Sequence, residues 1–235
     1  MHGSGRKLFS GISRFLMLRS PALCLIAGLF LALCSAQLFA EGRRITAKAI
    51  FVPDASLMDK VRTACSREED LMSCYVKLIK EAGAPDDAVN FIKLTDEPGY
   101  LRKLKKAGPV DIAFADFPFR ANENHGIFLV NGTPEMINVD DLSAIAGPVL
   151  EEDPGYKALK KKYPDIGLFM GDRFSDSSIS VERLKTGKLK FTVPYRLTTG
   201  CRACEDVGTA RIGFFFDPKG VFEGRKLIDI RPAKK

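Results

Sequence analysis

Hydrophobic and polar positions divide the chain into one featureless apolar block and a long periodic remainder. The block is "PALCLIAGLFLALCSAQLFA", Pro21 to Ala40, which carries no charge. Beyond it, "ITAKAIFV" (Ile45 to Val52) alternates in part and is rich in β-branched residues, which predicts a first strand. Leu57, Val61 and Ala64/Cys65 then follow a helical spacing, as do Leu71, Tyr75, Leu78 and Ile79. Gly83 closes the second of these helices, and Pro85-Asp86-Asp87 opens a third.

Two later stretches share their punctuation. "EPGYLRKLKKAGPVDIAF" starts at Glu97 and "DPGYKALKKKYPDIGLFM" at Asp153. Each runs from an acidic residue before Pro-Gly-Tyr through a lysine-rich helical turn to a second proline and an Asp-Ile strand. A shared capping solution reached twice is the favoured reading, since one short match does not make a repeat, with a duplicated helix-to-strand unit as the alternative. Between them, Val110 to Arg120 is apolar on both parities, as a central strand is, with Pro118 near its end. "ANENHG" makes a turn and "IFLVNG" returns antiparallel, while Asp141 to Lys162 reads as mostly helical with a break at Gly147-Pro148. From Leu189 onward "LKFTVPYRLTT", "TARIGFFFD" and "VFEGRKLIDI" form a β-meander, its second turn at Asp217-Pro218-Lys219-Gly220. The expected fold is α+β, with N-terminal helices packed on an antiparallel sheet that ends in a three-stranded meander.

Composition changes the reading of the apolar block. Arg6, Lys7, Arg14 and Arg19 precede it and no acidic residue appears before Glu41, so residues 1–40 read as an export signal cut after Ala36 or Ala40. The alternatives are an uncleaved membrane anchor and, on Leu31-Ala32-Leu33-Cys34, a lipidated one. Residues 41–235 are then a single domain, periplasmic or secreted. Without the signal, 32 basic residues face 29 acidic ones, a net charge of +3 rather than +7. The lysines sit in two patches, Arg102 to Lys106 and Lys157 to Lys162, each on an expected helix. Solvated helix faces explain both, and nucleic acid is excluded as a partner.

Cys65, Cys74, Cys201 and Cys204 lie beyond the signal, and an even number in an exported chain favours disulfides. Three connectivities are possible; the simplest joins Cys65 to Cys74 across a helical hairpin and Cys201 to Cys204 at a hairpin tip. Cys201-Arg202-Ala203-Cys204 has the spacing of a redox pair, but a strand follows almost at once where a redox pair needs a helix N-terminus. Glu205 and Asp206 oppose a thiolate there, and Arg202 helps only in part. The spacing from Cys65 to Cys74 is wrong for a zinc knuckle. A loop-shaping staple is the favoured reading, with thiol–disulfide exchange as the alternative.

The same hairpin resembles the exported inhibitors of vertebrate lysozyme. The matching run is Tyr195-Arg196-Leu197, Cys201 to Cys204, Gly208-Thr209 and Arg211-Ile212, followed by Phe214 and Phe216. That resemblance implies a helix-backed antiparallel sheet and a protein that blocks a glycan-processing enzyme of the envelope. The family's loop is longer and carries a histidine, whereas only Arg202 and Ala203 lie between these cysteines. No inhibitory residue carries over. Arg202 and Glu205 remain the candidate contact residues at the tip.

A search for catalytic chemistry finds less. Beyond the signal the chain has one histidine, His125, in a polar turn near Arg120. Asp116 shares the parity of Ile112 and Phe114 on an apolar strand, so it is expected either to pair with Arg120 or to mark the strand's exit. Asp116, Arg120 and His125 form the candidate group for a hydrolase or other enzyme. Asp172, Ser175 and Asp176 share a loop without a nucleophile elbow or calcium-loop spacing. Asn131-Gly132-Thr133 is a glycosylation triplet. No metal or cofactor is expected, and the function expected is non-catalytic binding.

Overall fold

The computed structural model describes residues 44–121, 124–141, 150–170 and 179–233. The expected export signal, the Gly147-Pro148 break and the Asp172/Ser175/Asp176 loop lie outside them. Residues from Arg44 onward belong to one unit. Among the described residues there are four α-helices, α1 (Ala55–Cys65), α2 (Leu71–Glu81), α3 (Asp86–Thr95) and α4 (Pro154–Lys162). Aspartates open three of them: Asp54, Asp70 and Asp153 accept from the N–H of Leu57, Ser73 and Tyr156 at 2.7, 2.9 and 3.0 Å.

The strands make two antiparallel sheets. The first is a meander of β1 (Tyr100–Lys105), β2 (Asp111–Asp116), β3 (His125–Val130) and β4 (Met136–Asn138). The second holds β5 (Ile166–Met170), β6 (Ser180–Arg183), β7 (Leu189–Thr199), β8 (Asp206–Phe216) and β9 (Phe222–Pro232). Its order is β5-β7-β8-β9, with β6 also on β7. β5 covers Tyr195 to Thr199 of β7 and β6 covers Leu189 to Thr192. Pro194, which has no N–H to donate, falls in the gap between them.

The fold is α+β, as the pattern predicts, and the C-terminal meander is present. The double parity of β2 has a simple cause. Ile112 and Phe114 face a core shared with Phe191, Val193, Tyr195 and Phe214 of the second sheet. Ala113 and Ala115 face a second core with Phe91 of α3. Sheet one is thus covered on both faces. A third cluster, Val61, Cys65, Tyr75 and Ile79, holds α1 to α2.

Two expected elements differ. Ile45 to Val52 is not a strand: Ala47–Ala49 form a 3-10 turn, and only Ile50 bridges to Leu101. The Asn131 side chain takes both backbone groups of Ile45, accepting from its N–H at 2.7 Å and donating to its C=O at 2.9 Å. Those groups are therefore unavailable to a ladder. The stretch from Tyr100 to Lys105 is not a helix but β1, so Arg102 to Lys105 of the patch lie on an edge strand, where lysines discourage stray pairing, and Lys106 beyond it binds Asp111 at 2.8 Å. Asp153 caps α4, whereas Glu97 is bound by Arg120 at 2.6 and 2.7 Å and caps nothing. The same punctuation thus opens a helix once and a strand once, and the two stretches are not copies of one unit.

Candidate functional site

β7 and β8 are each 11 residues long and pair almost throughout. Their connection turns at Gly200, whose φ of 86° lies in the left-handed region that suits glycine. Cys204 N–H donates to Cys201 C=O at 3.1 Å, Thr199 N–H to Glu205 C=O at 3.0 Å, and the Thr198 hydroxyl to Cys201 C=O at 2.8 Å. The Cys201–Cys204 disulfide closes this turn with its Cα atoms 5.0 Å apart. Cys201, Ala203 and Glu205 are exposed, while Arg202 is half-buried. That partial burial lowers the Arg202 guanidinium pKa from its ordinary value. Behind the tip, Arg196 binds Asp206 at 2.7 Å, tying the two strands together. Strands flank the ring on both sides, so neither cysteine sits at the N-terminus of a helix.

The other disulfide is Cys65–Cys74, joining the last residue of α1 to the first turn of α2, with Cα atoms 5.6 Å apart. Of the three connectivities the local one is present. Among the described residues no group of three or more His, Cys, Asp or Glu side chains is placed to hold a metal ion.

Asp116, Arg120 and His125 come together, though not as expected. Tyr100, Asp116 and His125 stand directly opposite one another on β1, β2 and β3. Asp116 Oδ1 lies 2.6 Å from His125 Nδ1 and 3.5 Å from Arg102 Nε. Arg102 reaches the carboxylate because the register between β1 and β2 slips at that residue, and a bulge re-aims its side chain. Burial raises the Tyr100 phenol pKa, with the neighbouring Asp116 charge adding to it. Of the two alternatives for Asp116, the pair with Arg120 is not formed, and Asp116 marks the strand's exit as the last residue of β2. Arg120 is held by Glu97, lies 3.9 Å above the Phe117 ring and donates to the His125 backbone C=O at 3.2 Å. Its aromatic platform and bidentate carboxylate outcompete the strand-end aspartate.

Four residues of this region escaped the sequence pattern. Glu97, Tyr100 and Arg102 were hidden by the helical spacing of the lysines. Asp140 follows β4 with no signal at all. Burial pushes its carboxyl pKa up to about 6, and its Oδ2 is buried with no hydrogen-bond partner among the described residues. Beside it, buried Tyr195 donates to Val139 C=O at 2.8 Å, linking the two sheets. Burial raises the Tyr195 phenol pKa, the Asp140 charge raises it further and Arg225 opposes both. Asn131 is also committed internally, to Ile45 and to Asp111 at 2.9 Å, so the glycosylation triplet does not offer a free amide.

Chemically, an imidazole oriented by a carboxylate suits proton transfer. The tip offers something else: a fixed exposed loop with one cation inside its ring. No family model, curated protein or solved structure matches the chain.

Proposed function

We propose that this chain is an exported, non-catalytic binding protein that presents the Cys201–Cys204 tip of the β7–β8 hairpin to an enzyme outside the cytoplasm, as an inhibitor of a lysozyme-like glycosidase. The observation that carries the reading is the disulfide closing an exposed turn at the end of two long paired strands. A loop fixed before encounter loses less conformational freedom on binding, so more of its contact energy appears as affinity. Arg202, inside the ring, is the group that meets the acidic residues of a glycosidase cleft. Export fits the two disulfides, which persist in oxidising compartments. Among the described residues no helix is long and apolar enough to cross a membrane.

One observation favours thiol–disulfide exchange instead: Cys201 is exposed. The flanking strands and the adjacent Glu205 and Asp206 weigh against it, because they supply no stabilisation to a thiolate. The deciding experiment titrates a vertebrate lysozyme with the purified chain lacking residues 1–40 and measures residual cell-wall hydrolysis. Saturable inhibition weakened by Arg202→Ala is expected. Absence of inhibition, together with rapid reduction of Cys201–Cys204 by a thioredoxin-type reductant, would replace this reading with the exchange one.

A further inference from the structure

Thr198 is fully buried, although alternation along β7 turns it away from the core between the sheets. Tyr195 and Leu197 face that core, whereas Arg196, on the same face as Thr198, keeps 22% of its side chain exposed. The strand partners of Thr198 are Gly167 of β5, which has no side chain, and Asp206 of β8, whose side chain is 52% exposed. The start of the disulfide ring folds back onto Thr198, whose hydroxyl donates to Cys201 C=O at 2.8 Å.

β5 closes in on the same turn. A Cβ on Gly167 would stand 2.6 Å from the Phe169 ring and 3.2 Å from Gly200 C=O, so the strand approaches as closely as a glycine permits. Exposure alternates around the ring, with Cys201 and Ala203 exposed and Arg202 and Cys204 half-buried. One edge of the ring therefore leans on the protein. Inside the ring, the disulfide and the bond from Cys204 N–H to Cys201 C=O fix its shape. At its root, Thr199 N–H donates to Glu205 C=O at 3.0 Å. Covalent closure over three residues sets the shape but not the tilt on the strands, and the Thr198 hydroxyl ties the ring to the sheet.

We propose that Thr198 is a positioning residue for the contact ring: its hydroxyl holds Cys201 C=O against the strand and so sets the angle at which Arg202 meets a partner. This assignment rests on the reading of the tip as the contact surface. A side chain of the same shape without the hydroxyl frees the tilt and leaves the fold intact. Cys201 C=O keeps the Cys204 donor, so the change from Thr to Val orphans no buried polar group.

The test compares the chain without residues 1–40 as wild type, Thr198→Val and Thr198→Ser, each with both disulfides formed. Amide hydrogen exchange separates tilt from shape. In Thr198→Val the Thr199 amide at the root should exchange about tenfold faster, the equivalent of one ordered hydrogen bond. The Cys204 amide inside the ring should keep its wild-type rate. Inhibition of a vertebrate lysozyme should weaken by about tenfold in the same variant, because the ring must then be ordered on binding. Thr198→Ser retains the hydroxyl and should restore both values, and thermal melting checks that all three forms are folded. The inference is overturned if the Thr199 amide exchanges alike in wild type and Thr198→Val. It is equally overturned if Thr198→Ser behaves as Thr198→Val does, which would assign the role to packing of the methyl group. Wild-type inhibition that Thr198→Val leaves unchanged would overturn it too. If the wild type does not inhibit lysozyme, it is the inhibitor reading that fails, and the exchange rates still decide whether Thr198 holds the ring.

Discussion

His125 Nδ1 lies 2.6 Å from Asp116 Oδ1, across two strands that place these residues directly opposite each other. The aspartate is the hub of this arrangement, because Arg102 also reaches it and Tyr100 faces it from β1. The Asp116 side chain is 16% exposed and that of His125 48%.

Asp116→Ala should therefore cost more than His125→Ala. Removing the hub leaves Tyr100 and Arg102 without their shared partner and should destabilise by roughly 1–3 kcal/mol. Removing the half-exposed imidazole should cost less than about 1 kcal/mol. Urea unfolding of both variants measures the difference. Equal losses would show that Asp116 serves His125 alone.

Asp140 gives the fold an unusual pH dependence. Its carboxyl pKa is about 6 when folded against an ordinary 3.8, so the folded chain holds this proton more tightly than the unfolded one. The contribution is complete below about pH 4 and is lost as pH rises through about 6. Asp140→Asn should remove that slope and stabilise the protein at pH 7.5 by roughly 1–3 kcal/mol. Thermal melting of both forms between pH 4 and 8 checks the sign.

The disulfides should divide their labour. Cys65 is fully buried, and its bond to Cys74 closes a sequence separation of 9 between two helices. Replacing both with alanine should cost about 2–3 kcal/mol on the chain-entropy estimate. Cys201 and Cys204 are only 3 apart, at an exposed tip, so their replacement should cost less. Guanidinium unfolding of the two double variants gives the comparison.

What the sequence makes legible is what short-range chemistry decides. Asp153, before Pro-Gly-Tyr, marks a helix start because an aspartate before a helix has few other uses for its carboxylate. The double parity of β2 shows because both its faces are covered. β1 does not show, since Leu101 and Leu104 fit a helix as well as a strand, and it is pairing with β2 that decides. That single misreading hides Tyr100 and Arg102 from the Asp116–His125 site. It also conceals Glu97 as the partner of Arg120, 23 residues away in sequence. Asp140 is invisible for another reason: its shift comes from packing between two sheets, which no local pattern encodes.

The closed ring at the tip of β7 and β8 carries the functional account, and one comparison tests it most directly. The affinity of the chain lacking residues 1–40 for a vertebrate lysozyme is measured by calorimetry beside that of a Cys201→Ser/Cys204→Ser variant, with melting used to confirm that both are folded. Binding by the closed form, weakened roughly 10- to 100-fold when the ring is open, is the result expected of a pre-ordered contact loop. Equal affinities for the two forms, or no binding by either, would contradict it.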